Sequence, residues 1–221
     1  MTSVTSDVTA APADEAAVAL PAVSDKVPVE AKAAYALGGT TDIFGHWLYN
    51  SLANPVFNVF LGLTPTQVSA SLGISRAIDA FTDPLFGWLS DNTRSRWGRR
   101  RPYILLGSLI AGIGLPCLFL AQPGWSNSQI FWFMIISAAL YAPLISAYNM
   151  PYQSLGAELT PDYNERTSVL SWKAVIQKLS GMLLGAGVWF INLSFWNDPV
   201  TGQPNLAHGA VGFAAICGAL M

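Results

Sequence analysis

Five long apolar segments constrain the fold of this 221-residue chain more than any other feature of its sequence. Each is long enough to cross a lipid bilayer, which requires about 20 mostly apolar residues. A sixth apolar segment begins near His208 but stops at Met221. We therefore expect an all-α membrane protein with five complete transmembrane helices and a truncated sixth. The predicted complete helices are residues 34–61, 66–90, 103–121, 128–154 and 167–194.

The composition agrees with this interpretation, because 52% of the residues are hydrophobic and only 11% are charged. Residues 1–32 lack a compact apolar core and a signal-peptide pattern, so we expect a disordered N-terminal tail there. Residues 33–221 are then one six-helix bundle. Since the chain stops within its sixth helix, we expect a fragment whose C-terminal half is missing. The two cysteines, Cys117 and Cys217, are interpreted as inert apolar residues.

The loop DNTRSRWGRRRP, residues 91–102, predicts the orientation of the bundle. It is the most basic short loop of the chain, and basic loops of membrane proteins face the cytoplasm. The N-terminus is then cytoplasmic as well, and the protein is expected to be a multi-pass protein of the cell (inner) membrane. Its arginines could also attract anionic lipid or nucleic acid, but the topology already accounts for them. No nucleic-acid partner is expected.

Three charged residues interrupt the second apolar segment: Arg76, Asp79 and Asp83. Their spacings of three and four place them on one helix face, next to Thr82. Charged residues within membranes usually face a cavity or the bundle interior and mark ion or substrate pathways. The arginine could simply form a structural ion pair with Asp79. However, one arginine cannot neutralise two carboxylates, so a bound cation or proton is the favoured interpretation.

Polar residues at helical spacing also mark three other helices. A single histidine in such a helix is usually a buried, satisfied residue, but several polar groups in register favour a cavity wall. Carboxylates and amides suit a polyhydroxylated solute, and Trp47, Tyr148 or Trp172 could stack on a sugar ring. The polar residues are Asp42, His46, Asn50 and Asn54 in the first helix, Ser146, Asn149 and Gln153 in the fourth, and Lys173 and Gln177 in the fifth. Lys173 could instead extend to the membrane surface.

Two Asn-Pro elements predict breaks in helices, a feature of transporter sites. They are Asn54-Pro55 late in the first helix and Asn149-Met150-Pro151 in the fourth. Enzyme signatures, in contrast, are missing from the sequence: it has no phosphate-binding loop, no zinc-ligand spacing and no nucleophile elbow. The chain is therefore not expected to be an enzyme or to need a cofactor.

The stretch GWLSDNTRSRWGRRRP, with DAFTDP before it, resembles the loop between helices two and three of the major facilitator superfamily. The insertion between Asp91 and Gly98 resembles that of the glycoside–pentoside–hexuronide:cation symporters in particular. The resemblance extends from about Tyr35 to Ser194. It implies a loop that stabilises one conformational state, with Gly87, Asp91, Arg94, Arg96, Gly98, Arg99 and Arg100 as its functional residues.

The resemblance also implies two sites. Asp79 and Asp83 would be the cation-binding carboxylates, ligands of Na⁺ if the protein is sodium-coupled, with Thr82 and Ser146 beside them. Together with the polar faces, it gives Asp42, His46, Asn50, Arg76, Asn149, Gln153 and Lys173 as candidate substrate-binding residues. The best-known member of the family has an acid and a tryptophan at the positions of Asn149 and Gln153. It also has a basic partner beside Asp42 that is missing here.

The expected function is symport of a sugar or glycoside with Na⁺ or H⁺ by alternating access, with the transported ion in place of any cofactor. The expected partners are the sugar, the lipid bilayer and the missing C-terminal half. Two alternatives remain open: a proton-coupled carrier of a non-sugar solute such as a lipid, and a non-transporting membrane receptor or assembly subunit. The sequence leaves the sugar and the coupling ion open.

Overall fold

The computed structural model describes residues 26–197 and 205–221. In this part of the chain all regular structure is helical. The helices are α1 (Val29–Ala53), continued by a π-helical segment (Asn54–Phe60), α2 (Pro65–Asn92), α3 (Arg101–Cys117), α4 (Asn127–Glu158), α5 (Tyr163–Ile191) and α6 (Leu206–Ala219), with a 3₁₀ turn at Ser194–Trp196.

Polar caps define where several of the long helices begin. Thr64 and Ser126 each accept a hydrogen bond from the backbone N–H of a glutamine three residues later, and the side-chain oxygen of that glutamine accepts one from the backbone N–H of the capping residue. These reciprocal capping boxes satisfy backbone donors that the first helical turn would otherwise leave unpaired. Asp162 caps α5 in a simpler way, by accepting from the backbone N–H of Glu165 at 2.9 Å.

The helices pack in pairs, α1 against α5 and α2 against α4, while α3 packs against both α4 and α6. Glycines permit the closest of these contacts. A Cβ atom at Gly107 would lie 2.8 Å from the backbone nitrogen of Tyr148, so only glycine lets α3 approach α4 this closely. A Cβ atom at Gly112 would similarly lie 2.6 Å from the carbonyl oxygen of Gly218 in α6.

The end of the bundle that carries residues 93–100 is called the basic end below. There, three tyrosine rings of α1 and α4 stack in sequence, with centroid distances of 4.7 Å for Tyr35–Tyr152 and 5.2 Å for Tyr152–Tyr148. Two of their hydroxyls donate to backbone carbonyls of α1: Tyr148 to Gly38 at 2.6 Å and Tyr152 to Tyr35 at 2.7 Å. The stack therefore fixes α4 against α1 and leaves Tyr148 buried.

Helix boundaries differ from the sequence expectation at several points. The first helix begins at Val29, inside the segment 1–32 that was assigned to a disordered tail, while residues 1–25 of that tail lie outside the described residues. The predicted break at Asn149-Met150-Pro151 is wrong, because α4 continues to Glu158. The interruption of the first helix predicted at Asn54-Pro55 is confirmed, because the chain changes from α-helix to π-helix at Asn54.

By length and hydropathy, two helices of the described residues can cross a membrane: α4 and α5. The helices α3 and α6 are apolar but shorter. The helices α1 and α2 have 25 and 28 residues, and α2 carries the three charges predicted from the sequence. Large apolar side chains on the outside of the bundle, such as Ile113 at 75% and Leu140 at 68% exposed, agree with a lipid environment.

Candidate functional site

The charged residues of α2 form one ion pair and leave one carboxylate apart. Arg76 Nη1 lies 3.4 Å from Asp79 Oδ2, as the spacing of three residues predicts. The Asp79 side chain is 14% exposed, whereas that of Arg76 is 46% exposed. The arginine is therefore a partial counter-charge whose other side faces outward.

The second carboxylate, Asp83, has no such partner within the part of the chain that the structure describes. Its Oδ1 atom is buried and accepts no hydrogen bond from the described residues. Next to it, the Thr82 and Ser146 hydroxyls share a hydrogen bond of 3.0 Å that joins α2 to α4. A buried carboxylate oxygen without a donor is costly. A cation or a proton at this position would remove that cost, so the residues fit the predicted site.

A cavity of about 30 Å³ lies beside Asp79 and is lined by residues of α1, α2 and α4 and by Leu118. Its polar lining includes His46, Asn50 and Arg76. The buried hydroxyl of Tyr141, another lining residue, has no hydrogen-bond partner among the described residues. The volume suits a water molecule or a bare ion and is far too small for a sugar.

Residues 26–197 and 205–221 contain no group of three or more His, Cys, Asp or Glu side chains that could hold a metal ion. A sodium ion at Asp79 and Asp83 would therefore need hydroxyl or carbonyl oxygens as further ligands. Sodium and similar hard cations accept such oxygen ligands.

A second polar group joins α1 to α5. Gln177 Nε2 donates to Asp42 Oδ2 at 2.7 Å, and Lys173 Nζ lies 3.4 Å from the same oxygen. The ammonium group also lies 4.7 Å from the ring centroid of Tyr152. The basic residue that the best-known family member has beside this position is missing from α1, and Lys173 of α5 supplies a positive charge to Asp42 instead. For the same reason, Lys173 does not extend to the membrane surface.

His46 connects this group to α4. Asn149 Nδ2 donates to His46 Nδ1 at 2.9 Å, and the same ring nitrogen lies 4.0 Å from Asp42 Oδ1. The Oδ1 atom of Asn149 is buried without a partner among the described residues, so it can accept a hydrogen bond from a solute hydroxyl. His46 also lines the small cavity beside Asp79, so it belongs to both polar groups.

A larger groove of about 740 Å³ is lined by residues of α1 and α5. Its lining combines Trp47, which is 56% exposed, with the polar side chains of Asn50, Gln177 and Lys178. The volume is in the range of small-molecule sites, which is about 300–1,000 Å³. The groove can therefore accommodate a solute that the small cavity cannot.

Some predicted site residues are not joined to these groups. Gln153 is exposed and forms no side-chain hydrogen bond within the described part of the chain. Asn50 lines both spaces but uses its amide to donate to the His46 carbonyl at 2.6 Å. Tyr148, a candidate for sugar stacking, is 2% exposed within the tyrosine stack, so that assignment is wrong.

The basic loop is anchored by Arg100. Its Nη2 atom lies 2.7 Å from Asp91 Oδ1 at the end of α2, and its Nη1 atom lies 2.8 Å from Glu158 Oε2 at the end of α4. Arg99 approaches the same Glu158 at 3.9 Å. Gly98 has φ +99°, a conformation that favours glycine and turns the loop toward α3.

The remaining predicted loop residues are free of such ion pairs in the described structure. Arg96 lies 5.4 Å from the ring centroid of Trp97. Arg94 is exposed. A Cβ atom added to Gly87 would meet nothing within 4 Å, so this glycine is not needed for packing among the described residues.

Sequence reasoning left several functional contacts unassigned. The sequence placed Gln177 on one polar face with Lys173 without giving it a site role, and it did not single out Glu158. Lys32, placed in the tail, is 8% exposed, and its Nζ atom lies 2.8 Å from Glu165 Oε2. No periodicity within one helix could have indicated this contact between α1 and α5.

Comparison with known proteins agrees with this arrangement. The family model described as MFS/sugar transport protein matches residues 33–221. The chain therefore belongs to the major facilitator superfamily, in its glycoside–pentoside–hexuronide:cation symporter family, as the sequence resemblance predicted. It is accordingly an all-α, multi-pass membrane protein.

Several curated proteins are similar to the chain. The inner membrane symporter YicJ of Escherichia coli is 32% identical over 163 residues, which are 72% of this chain and 35% of the relative. The putative glycoside/cation symporter YagG of the same organism is 30% identical, over 64% of this chain and 31% of the relative. The sodium-dependent lysophosphatidylcholine symporter 1-B of Danio rerio is 29% identical, over 79% and 33%. The chain thus matches about a third of the length of each relative.

Proposed function

We propose that the chain forms the N-terminal half of a secondary transporter that couples uptake of a sugar or glycoside to entry of Na⁺ or H⁺. The observation that carries the proposal is the buried, unpartnered oxygen of Asp83 beside the Arg76–Asp79 pair. One cation or proton bound there balances the second carboxylate. The glycoside/cation relative supports the sugar class.

The substrate would bind at the second polar group, between α1, α4 and α5. There, Asp42, Lys173 and Gln177 offer hydrogen-bond donors and acceptors for hydroxyl groups. Asn149 adds its unpartnered carbonyl oxygen. The neighbouring groove of about 740 Å³ has room for the rest of a glycoside.

The two sites would influence each other through His46, which they share. Cation binding at Asp79 and Asp83 changes the charge beside His46, which contacts Asn149 and lies near Asp42. Such coupling is reciprocal, so the solute must also tighten cation binding. The loaded carrier then rocks between its outward-open and inward-open states, as secondary transporters do.

A lipid-like solute is the second candidate. The α1–α5 groove has an apolar part formed by Ile43, Trp47 and Met182, with Lys178 able to pair with a phosphate. Two of the similar proteins have lipid-related names, the lysophosphatidylcholine symporter of Danio rerio and the sphingosine-1-phosphate transporter MFSD2B of Xenopus tropicalis.

Uptake into liposomes tests both candidates. The full-length protein is reconstituted, and a radiolabelled galactoside, glucoside, pentoside, hexuronide or lysophosphatidylcholine is supplied under an imposed Na⁺ or pH gradient. We expect gradient-driven uptake of at least one glycoside. Uptake of lysophosphatidylcholine alone would favour the lipid candidate, and no gradient-driven uptake of any of the five would contradict both.

A further inference from the structure

A second groove, of about 490 Å³, opens between α2, α3 and α4 at the basic end. Its walls are apolar and are formed by Phe86, Leu106, Ile110, Leu144 and Ala147. Along α3 the lining extends from Pro102 to Ile110, a rise of about 12 Å at 1.5 Å per residue. One leaflet of a bilayer has a hydrocarbon depth of about 15 Å. The groove therefore has the depth that an acyl chain occupies.

The mouth of this groove is basic. Thr93, Ser95 and Pro102 line it, and their sequence neighbours are Arg94, Arg96 and Arg101. These three arginines are exposed and take part in no ion pair within residues 26–197 and 205–221. Arg99 and Arg100, in contrast, are engaged with carboxylates. The mouth thus presents three uncompensated positive charges.

The start of α3 adds further attraction for an anion. Its N-cap residue, Arg100, makes no side-chain cap hydrogen bond, so the first-turn N–H groups receive no capping side chain. The positive end of the helix dipole lies at the same place. Beside it, the Thr93 and Tyr103 hydroxyls share a hydrogen bond of 2.7 Å across the mouth. Two hydroxyls and a helix terminus are suitable neighbours for a phosphate.

We propose that this groove and its mouth form a binding site for an anionic phospholipid. One acyl chain lies in the groove between α2, α3 and α4, and the phosphate contacts Arg94, Arg96 and Arg101. The positive-inside rule assigns the basic end to the cytoplasmic leaflet, which is rich in anionic lipids. The site is distinct from the polar groups of α1, α4 and α5, and it does not depend on which solute is transported.

Native mass spectrometry of the full-length protein in detergent tests the headgroup. Phosphatidylglycerol is titrated against phosphatidylcholine with the same acyl chains, and we expect tighter binding of phosphatidylglycerol. Each arginine near an anionic surface contributes about fivefold in affinity. The triple variant R94Q/R96Q/R101Q is therefore expected to lose at least tenfold in phosphatidylglycerol affinity and to keep its phosphatidylcholine affinity. Equal affinity of the wild-type protein for both lipids would overturn the proposal.

A matched pair of variants tests the groove without changing charge. Leu106 and Leu109 are both 56% exposed on α3, but only Leu106 lines the groove. Leu106→Trp fills the groove and is expected to weaken phosphatidylglycerol binding at least tenfold, while Leu109→Trp binds like the wild-type protein. Equal effects of the two variants would contradict a groove-bound chain. Equal thermal stabilisation by inorganic phosphate alone, or lipid-independent dimers through this face, would likewise overturn the proposal.

Discussion

At the scale of single residues, the two polar groups differ in how their charge is compensated. Asp42 has Lys173 and Gln177 within contact distance, and both members of the ion pair are mostly buried. Asp83 instead keeps one buried oxygen that accepts from no donor in residues 26–197 and 205–221. In the first arrangement the two charges compensate each other, and a solute could bind by replacing the hydrogen bonds to Asp42 with its own. The second leaves one carboxylate charge without a counter-charge among the described residues.

The Asp42–Lys173 pair predicts a coupled loss of stability. Removing one partner of a buried ion pair typically costs about 3–5 kcal/mol, because the other charge is left unpaired. We expect Asp42→Asn and Lys173→Met each to lower the thermal unfolding midpoint of the purified full-length protein. The double variant should lose less than the sum, with a coupling free energy of about 1–3 kcal/mol. Strictly additive losses would show that the ion pair contributes nothing to stability. Lys178→Met, which removes an exposed lysine of the same helix, is the control.

Residue spacing predicted much of the site and failed where helices meet. The i, i+3 rule correctly paired Arg76 with Asp79 on α2. It could not pair Lys173 with Asp42, because that contact depends on how α5 packs against α1. The same limit applies to the His46–Asn149 bond between α1 and α4.

At the scale of helices, packing overrides the local signals of proline. Asn149-Met150-Pro151 resembles a helix break, yet α4 continues to Glu158 because the tyrosine stack and the His46–Asn149 bond hold it against α1. Membrane helices tolerate proline when neighbouring groups satisfy the freed carbonyl. The number and order of the helices followed from apolar length alone, whereas the ends depended on caps such as Asp162.

Close contact between α3 and α4 predicts the effect of a single methyl group. A Cβ atom at Gly107 would meet the Tyr148 backbone at 2.8 Å, and backbone cannot rotate away. Gly107→Ala is expected to destabilise the full-length protein by about 1–3 kcal/mol, as overpacking does. At Gly114 on the same helix, the nearest atom is a Tyr141 ring carbon at an ordinary 3.4 Å. Gly114→Ala should therefore be neutral or slightly stabilising in thermal unfolding, and equal losses at both positions would contradict the packing.

The Arg100 contacts predict a local effect at the basic end. Because Arg100 bridges Asp91 and Glu158, its loss should release the ends of α2 and α4 from each other. We expect faster amide hydrogen exchange in residues 89–104 of the Arg100→Gln variant. Arg94→Gln removes an equal charge from the same loop without breaking an ion pair and should exchange like the wild-type protein. Unchanged exchange in Arg100→Gln would show that the bridge does not hold this end together.

At the scale of the whole molecule, the two proposed sites lie on different helix pairs of the bundle. The α2–α4 side carries the carboxylates that would hold the coupling ion, and the α1–α5 side carries the polar group and the groove that would receive the solute. His46 lines the cavity beside Asp79 and also contacts Asn149, so a change of charge at one site would act on a residue of the other. Since the chain spans about a third of its relatives' length, transport is a property to be measured on the full-length protein.

The most direct measurement of the central claim is accumulation of the transported solute against its own gradient by reconstituted full-length protein. An inward Na⁺ or H⁺ gradient is imposed on liposomes that contain the wild-type protein, Asp83→Asn, Asp79→Asn or the control Asp162→Asn. If these carboxylates bind the coupling ion, the wild-type protein and the control accumulate solute at least tenfold more than either variant. Accumulation by Asp79→Asn and Asp83→Asn equal to that of the wild-type protein would contradict the account.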